Sequence, residues 1–467
     1  MTLRIGVLPL ARPTFDVPYA EEMARGAFAS LDATGCEILG GRALLFDAAA
    51  TETALAALKE EKLDLVLILQ VTFTDATMTV KIAESLSAPL AIWAFPEPRT
   101  GGRLRLNGFC GLNLAGHALG RAGKRFGWLY AQPDAANLRG DLAAIAEGRF
   151  HEVAAPDSRV AMTAVDGERA RAVLSKLKSA RIGLVGEHPA GFDTCRYDAA
   201  ELASLSGVSV EKIELPQLFS RAAKVADADV GRFRADAEKR LGGLDEVDQP
   251  QLAKSFQLLG AFDEIKNEQK LSALAVRCWP EMFTEFGCAA CGPMGVLNER
   301  KTPCACEADM YGAVTALMLQ ELAGAPSYLV DVVDMDAESN TGVVWHCGSA
   351  PISMADPETP PVATIHSNRR MPLLQEFALR PGRVTVARIS QAKNGRTLFI
   401  GGAEMIRAPK SFSGASGVLR FDAPTGTVAA RMMGEALEHH VAIVYGDHRA
   451  PLRAIGDRLN LPVKELG

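Results

Sequence analysis

The sequence predicts an α/β protein with two doubly wound parallel-sheet domains followed by an antiparallel β-barrel. Three observations carry this. At 467 residues the chain is too long for one ordinary core. Up to about residue 340, short apolar runs alternate with helical stretches, the pattern of strands covered by helices on both faces of a parallel sheet. Beyond it, β-rich runs separated by turns fill 340–430, which reads as a small barrel. The expected domains are 1–157, 158–340 and 341–467.

In the first domain, Leu3–Leu8 is a strand candidate, Ala11–Asp16 a turn and Pro18–Leu31 a helix. Asp64–Leu69 and Pro89–Phe95 are further buried strands. Ligands of such sheets gather beyond the carboxyl ends of the strands. That places Arg12 to Asp16 and Phe95 to Arg105 on the functional edge. Gly101 and Gly102, with Arg99, Arg103 and Arg105, form a basic loop able to hold a polar or anionic ligand; a plain solvated loop is the alternative. His117 lies in the helical pattern Asn113–Arg121 and reads as a capped or core histidine.

The second domain opens near Ala161. Arg181–Gly186 is a strand, but Gly183 and Gly186 do not complete a dinucleotide fingerprint, so NAD is not expected. Residues 225–270 are helical and charged. Ala273–Trp279 is a strand that ends at Pro280, and Glu281 beyond it reads as a solvated loop acid. The chemistry concentrates in Pro303–Asp336. A helix is expected from Glu307 to Leu322, with Met310, Val314, Leu317 and Met318 on one face. Gly324 and Pro326 stop it, and Tyr328–Val333 returns as a buried strand. A sixteen-residue helix is roughly 24 Å long, and the strand travels back along it. Glu307 and Asp331 thus reach the same end of the layer although 24 positions apart. Two carboxylates in one site call for a metal, a shared proton or a cation. The plainer alternative makes Glu307 a first-turn acid favoured by the helix dipole and Asp331 a strand-end acid.

In the third region Gly342–Ala350, Val384–Ile389 and Thr397–Ile400 read as strands. Near the end, His439 and His440 enter another strand. Adjacent strand residues point to opposite faces, so one of the two is expected to serve a site directly.

Composition narrows the function classes. A net charge of −6 leaves no electrostatic footprint for nucleic acid. The longest apolar run, Leu63–Val71, is interrupted by Asp64 and Gln70 and is too short to span a bilayer, so no membrane partner is expected. The first residues read as a strand without a cleavage site, and a cytoplasmic protein is expected. Nine cysteines, an odd number, argue against a disulfide framework. Cys288, Cys291, Cys304 and Cys306 resemble a four-thiolate zinc or iron–sulfur spacing, but the second pair is CxC; buried reduced thiols are the favoured reading.

The segment CEADMYGAVTALMLQELAGAPSYLVD resembles the metal-site segment of the L-fucose isomerase family, related to the L-arabinose isomerases. The resemblance extends to Arg12-Pro13-Thr14-Phe15-Asp16, to Ile92-Trp93-Ala94-Phe95, to His346-Cys347-Gly348-Ser349-Ala350 and to the His439-His440 pair. It implies Glu307 and Asp331 as metal ligands and acid–base pair, with His440 as third ligand. It further implies Arg12, Asp16, Trp93, His346 and His439 as substrate contacts. The expected cofactor is Mn²⁺, with Mg²⁺ or another divalent ion as substitute, and the expected assembly a trimer or hexamer. The expected reaction is aldose–ketose isomerisation of a pentose, 6-deoxyhexose or modified hexose such as sulfoquinovose. A non-catalytic sugar-binding or regulatory module is the alternative.

Overall fold

The computed structural model describes residues 2–150, 160–392 and 395–466; the expected boundary at 157/158 lies outside them. The first sheet contains β1 (Arg4–Leu10), β2 (Glu37–Leu39), β3 (Leu65–Gln70), β4 (Leu90–Ala94) and β5 (Gly127–Tyr130). All pairs are parallel, in the order β2-β1-β3-β4-β5. The strands are apolar on both faces because both are covered: Ile92 and Ala94 pack into one core, Ala91 and Trp93 into the other. The order reverses between β1 and β3, which opens a crevice beyond their carboxyl ends. Arg12 and Asp75, from the loops after these two strands, meet there at 3.0 Å.

The second sheet is β6 (Arg181–Val185), β7 (Ser209–Ile213), β8 (Ala273–Val276) and β9 (Cys304–Ala305), parallel in the order β7-β6-β8-β9. The remaining strands are β10 (Tyr328–Asp336), β11 (Thr341–His346), β12 (Val362–Thr364), β13 (Leu374–Ala378), β14 (Gly382–Ser390), β15 (Thr397–Ile406), β16 (Ala415–Phe421), β17 (His440–Tyr445) and β18 (Val463–Glu465). Six of them close a barrel, β10-β11-β16-β15-β14-β17 and back to β10, with every pair antiparallel. The predicted class, parallel-sheet α/β followed by an antiparallel barrel, is what the chain adopts.

Two local expectations differ. Tyr328–Asp336 is a barrel strand: it pairs antiparallel with β11 and β17, not parallel beside β9. The helix before it runs Met310–Ala323, not from Glu307, because Asp309 takes the N-cap and accepts from Gly312 N at 2.8 Å. Gly324 at φ 63° ends the helix as anticipated. This helix is buried on nearly every side, packed between β8 of the second sheet and β14 and β17 of the barrel. Its apolar residues therefore ring the helix, where a surface helix would carry one stripe. Among the described residues, no helix is long and apolar enough to cross a membrane.

Candidate active site

The site forms where the second sheet meets the barrel. After β9 the chain makes a tight turn, Cys306–Ala308, in which Glu307 and Ala308 both take φ 56°. This left-handed conformation costs a non-glycine residue about 1–3 kcal/mol. It is held here by the side chain it presents: Trp279 Nε1 donates to Glu307 Oε1 at 2.9 Å and His439 Nε2 lies 3.2 Å from Oε2. Burial alone pushes the Glu307 carboxyl up. The hydrogen bond and charge of His439, then His440 and the Trp279 N–H, outweigh it and hold the group down at about 2. Glu307 is therefore an anion.

Asp331 and His440 face each other as a register pair across the β10–β17 seam. His440 Nε2 lies 3.4 Å from Asp331 Oδ1 and 3.8 Å from Glu307 Oε2. Its other nitrogen, Nδ1, is 2.9 Å from Asp309 Oδ2. Asp309 is an ion, kept well below the usual carboxylate range: burial works against this, but Arg388 and His440 prevail. Both Asp309 and Arg388 are fully buried, and two guanidinium nitrogens of Arg388 grip the carboxylate. Asp309 thus accepts from His440 Nδ1, which fixes the ring and directs Nε2 towards Glu307 and Asp331.

Glu307 Oε2 and Asp331 Oδ1 each approach His440 Nε2, in the clusters Glu307–His439–His440 and Asp331–His346–His440, and the buried Asp331 Oδ1 accepts no hydrogen bond from the described residues. These carboxylate and imidazole donors are of the kind that could hold a hard divalent cation, with Asp309 as the outer support of His440. His346 stands beside it, its ring 5.4 Å from that of His440 and its Nδ1 2.9 Å from Leu329 O. Burial lowers the His346 pKa, which keeps a neutral imidazole.

The expectation that one histidine of the pair would serve the site is corrected. His439 precedes β17, so strand alternation does not separate the two; their rings are 4.1 Å apart and both approach Glu307 Oε2. Arg12, Glu307, Asp331, His346 and His439 line one cavity, with His440 behind the carboxylates. Asp16 and Trp93 do not reach it. Asp16 caps the helix Val17–Ala33 and pairs with Arg105 at 2.8 Å. Trp93 is fully buried in the first domain, its Nε1 donating to Ala131 O at 3.0 Å. The alternation of β4 turns Trp93 into the core face opposite Ile92.

The basic loop is also committed within the chain. Arg99 binds Asp334 and Thr341, Arg103 binds Asn368 and Thr14 O, and Arg105 binds Asp16. The first two tie the first domain to the barrel region. His117 is a core histidine, its Nδ1 2.7 Å from Ala436 O. Glu281 forms a two-point ion pair with Arg277. The four cysteines of the thiolate spacing do not converge on one another: Cys306 meets Cys278, and Cys291 meets Cys347.

Trp279, Asp309 and Arg388 escaped the sequence reading. Asp309 had a signal, since an aspartate before an apolar helical run is a cap candidate. Arg388 had one too, as a lone charge inside the apolar run Val384–Ile389. Replacing Trp279 by Phe keeps the ring and removes the N–H to Glu307. A hydrogen bond to a charged group contributes about 1.5–3 kcal/mol, so turnover is expected to fall roughly 10- to 100-fold, read by steady-state kinetics; an unchanged rate would make this bond incidental.

The profile of the fucose/sulfoquinovose isomerase N-terminal domain matches residues 6–154. A sulfoquinovose isomerase of Alkalicoccus urumqiensis is 32% identical over 404 residues, covering 86% of each chain. The chain belongs to the fucose/sulfoquinovose isomerase family. A sulfoquinovose isomerase of Priestia aryabhattai is 30% identical over 98% of both chains. One from a Clostridium species is 29% identical over 98% of both. As a member of this family the protein is a sugar isomerase of the aldose–ketose type, and the site described above is its candidate catalytic centre.

Proposed function

We propose that this isomerase interconverts sulfoquinovose, or a closely similar modified hexose, with its ketose, and that it does so with a divalent metal, Mn²⁺ or Mg²⁺, at Glu307, Asp331 and His440. The observation that carries the metal is His440. Its Nδ1 is locked by Asp309 while Nε2 faces two carboxylates, one with an unsatisfied buried oxygen. The names of the relatives support the substrate.

Glu307, Asp331 and His440 would hold the ion, which when bound supplies Lewis-acid polarisation of the sugar carbonyl. The remaining work belongs to the protein. Of the two carboxylates lining the cavity, one takes the proton from C2 and returns it to C1, through an enediolate. The other manages the hydroxyl proton that moves between the two oxygens. Trp279 and His439 keep Glu307 ionised and fixed in direction, and neutral His346 stands where it can contact a sugar hydroxyl. The apolar ring of Phe73, 6.1 Å from the His439 ring, helps to exclude water from this end of the cavity.

The test is isomerisation of sulfoquinovose, L-fucose, D-arabinose and D-glucose after exhaustive chelation and again after adding Mn²⁺. Turnover of sulfoquinovose that disappears with chelator and returns with the ion is expected. Full activity in the chelated protein would overturn the metal, and preference for an unmodified sugar would overturn the substrate.

A further inference from the structure

We infer that Arg369, with Arg12 beside it over the Trp279 ring, forms the subsite for a tetrahedral oxyanion at the far end of the sugar. This rests on the reading that the cavity takes an aldose. Arg369 sits in the loop between β12 and β13, which is stiffened from within. His366 N donates to Met371 O at 2.9 Å and Arg370 N to His366 O at 2.7 Å. Asn368 N and Arg369 N both donate to His366 Nδ1, at 3.2 and 3.3 Å. Asn368 is clamped from the first domain by Arg103 at 2.7 Å.

None of these bonds uses the Arg369 guanidinium. It lies over Trp279 at 5.0 Å and Phe283 at 5.2 Å. Among the described residues no carboxylate stands within ion-pair reach of it, whereas Arg99, Arg105, Arg277 and Arg388 each have one. Aromatic contact engages the faces of a guanidinium and leaves its N–H edge for a planar or tetrahedral anion. Arg12 lies over the same Trp279 ring at 5.4 Å and, among the described residues, shares its charge with a single carboxylate, Asp75.

Trp279 thereby links the two ends of the cavity. Its N–H holds Glu307, and its ring carries two cations. One cavity thus carries the carboxylates of Glu307 and Asp331 and, over the indole whose N–H holds Glu307, the guanidiniums of Arg12 and Arg369. A sugar with an anionic group on its last carbon enters in one orientation, its carbonyl end towards the carboxylates. A 6-deoxy sugar would set a methyl group against an unpaired guanidinium, which desolvates the cation with nothing in return. The sequence pointed to the arginines of the 99–105 loop for an anion; the structure leaves that role to Arg369 and Arg12.

The experiment compares metal-loaded wild type, Arg369→Gln and Arg369→Lys. Kinetic constants are measured on sulfoquinovose, glucose 6-phosphate and D-glucose, which differ only at C6. For Arg369→Gln, the ratio of kcat/KM for sulfoquinovose to that for D-glucose is expected to fall roughly 10- to 100-fold, mainly through KM, and Arg369→Lys is expected to restore part of it. The glucose 6-phosphate arm shows whether a phosphate is accepted as well as a sulfonate. A second readout does not need turnover: methanesulfonate, and separately inorganic phosphate, should raise the melting temperature of wild type and not that of Arg369→Gln. An unchanged ratio in a folded Arg369→Gln protein, or equal protection of both proteins, would overturn the subsite. If wild type isomerises no sugar, the proposed function fails, and the melting experiment alone decides the subsite.

Discussion

Exchange of Glu307 for Gln is expected to lower kcat by roughly 10²- to 10⁴-fold, the range lost when a positioned general acid or base is removed. Glutamine has the same shape and its oxygen can still accept from Trp279 Nε1, so the left-handed turn at Glu307 should survive. What disappears is the charge that His439 and His440 approach at 3.2 and 3.8 Å. The direct check is incorporation of solvent deuterium into the sugar at C1 or C2, alongside the melting temperature. Loss of exchange with an intact melt is the expected result. Exchange within tenfold of wild type would remove Glu307 from the chemistry.

The largest effect on stability is expected at Asp309. Arg388 is fully buried, and its other carboxylate, Glu438, is 3.9 Å away. Asp309→Asn leaves that cation without its close partner, and breaking a buried pair in this manner costs about 3–5 kcal/mol. It also exchanges the anionic partner of His440 Nδ1 for a neutral one, so affinity for the proposed divalent ion should drop roughly 10- to 100-fold, as when an outer support is weakened. The two consequences separate in the double variant Asp309→Asn/Arg388→Met. Removing the buried charge should recover most of the stability in denaturant titrations, while metal affinity stays weak. A single variant within about 1 kcal/mol of the parent would show that the pair is not what holds this region, a value well under the cost quoted for broken buried pairs.

The sequence exposed strands in all three regions where they are compact apolar runs, such as β3, β4 and β14, but not β5, β7, β13 or β16. It placed Glu307 and Asp331 at one end of the layer by helix and strand rise, although Glu307 lies in the turn before the helix. It did not show on which sheet the returning strand would pair. Pairing partner is a tertiary choice, and β10 chose β17, whose residues lie more than a hundred positions later. Trp93 was assigned to the site from a motif, but the phase of strand alternation decides its face, and a short apolar run does not reveal that phase. The arginines of the 99–105 loop looked free because their partners, such as Asp334 and Asn368, are far away in sequence. Arg369 belongs to no motif in the sequence; what sets it apart is the aromatic wall of Trp279 and Phe283 around it. Helix caps were half legible: Asp309 is an aspartate directly before an apolar helical run, and it stands two residues after the equally acidic Glu307.

The pairing of Asp331 with His440 joins the first and the last stave of the ring in chain order. Glu307 and His439 are 132 positions apart, and His440 and Asp309 are 131. The contacts of His439 and His440 with Glu307, Asp309 and Asp331 therefore need the cylinder to shut, whereas the Trp279–Glu307 bond lies within the second parallel layer. Local secondary structure can accumulate without conferring any activity. Catalytic competence in this protein is a report on ring closure: a half-folded molecule has helices, sheets and a polar groove, but its late imidazoles are not yet set against Glu307 and Asp331.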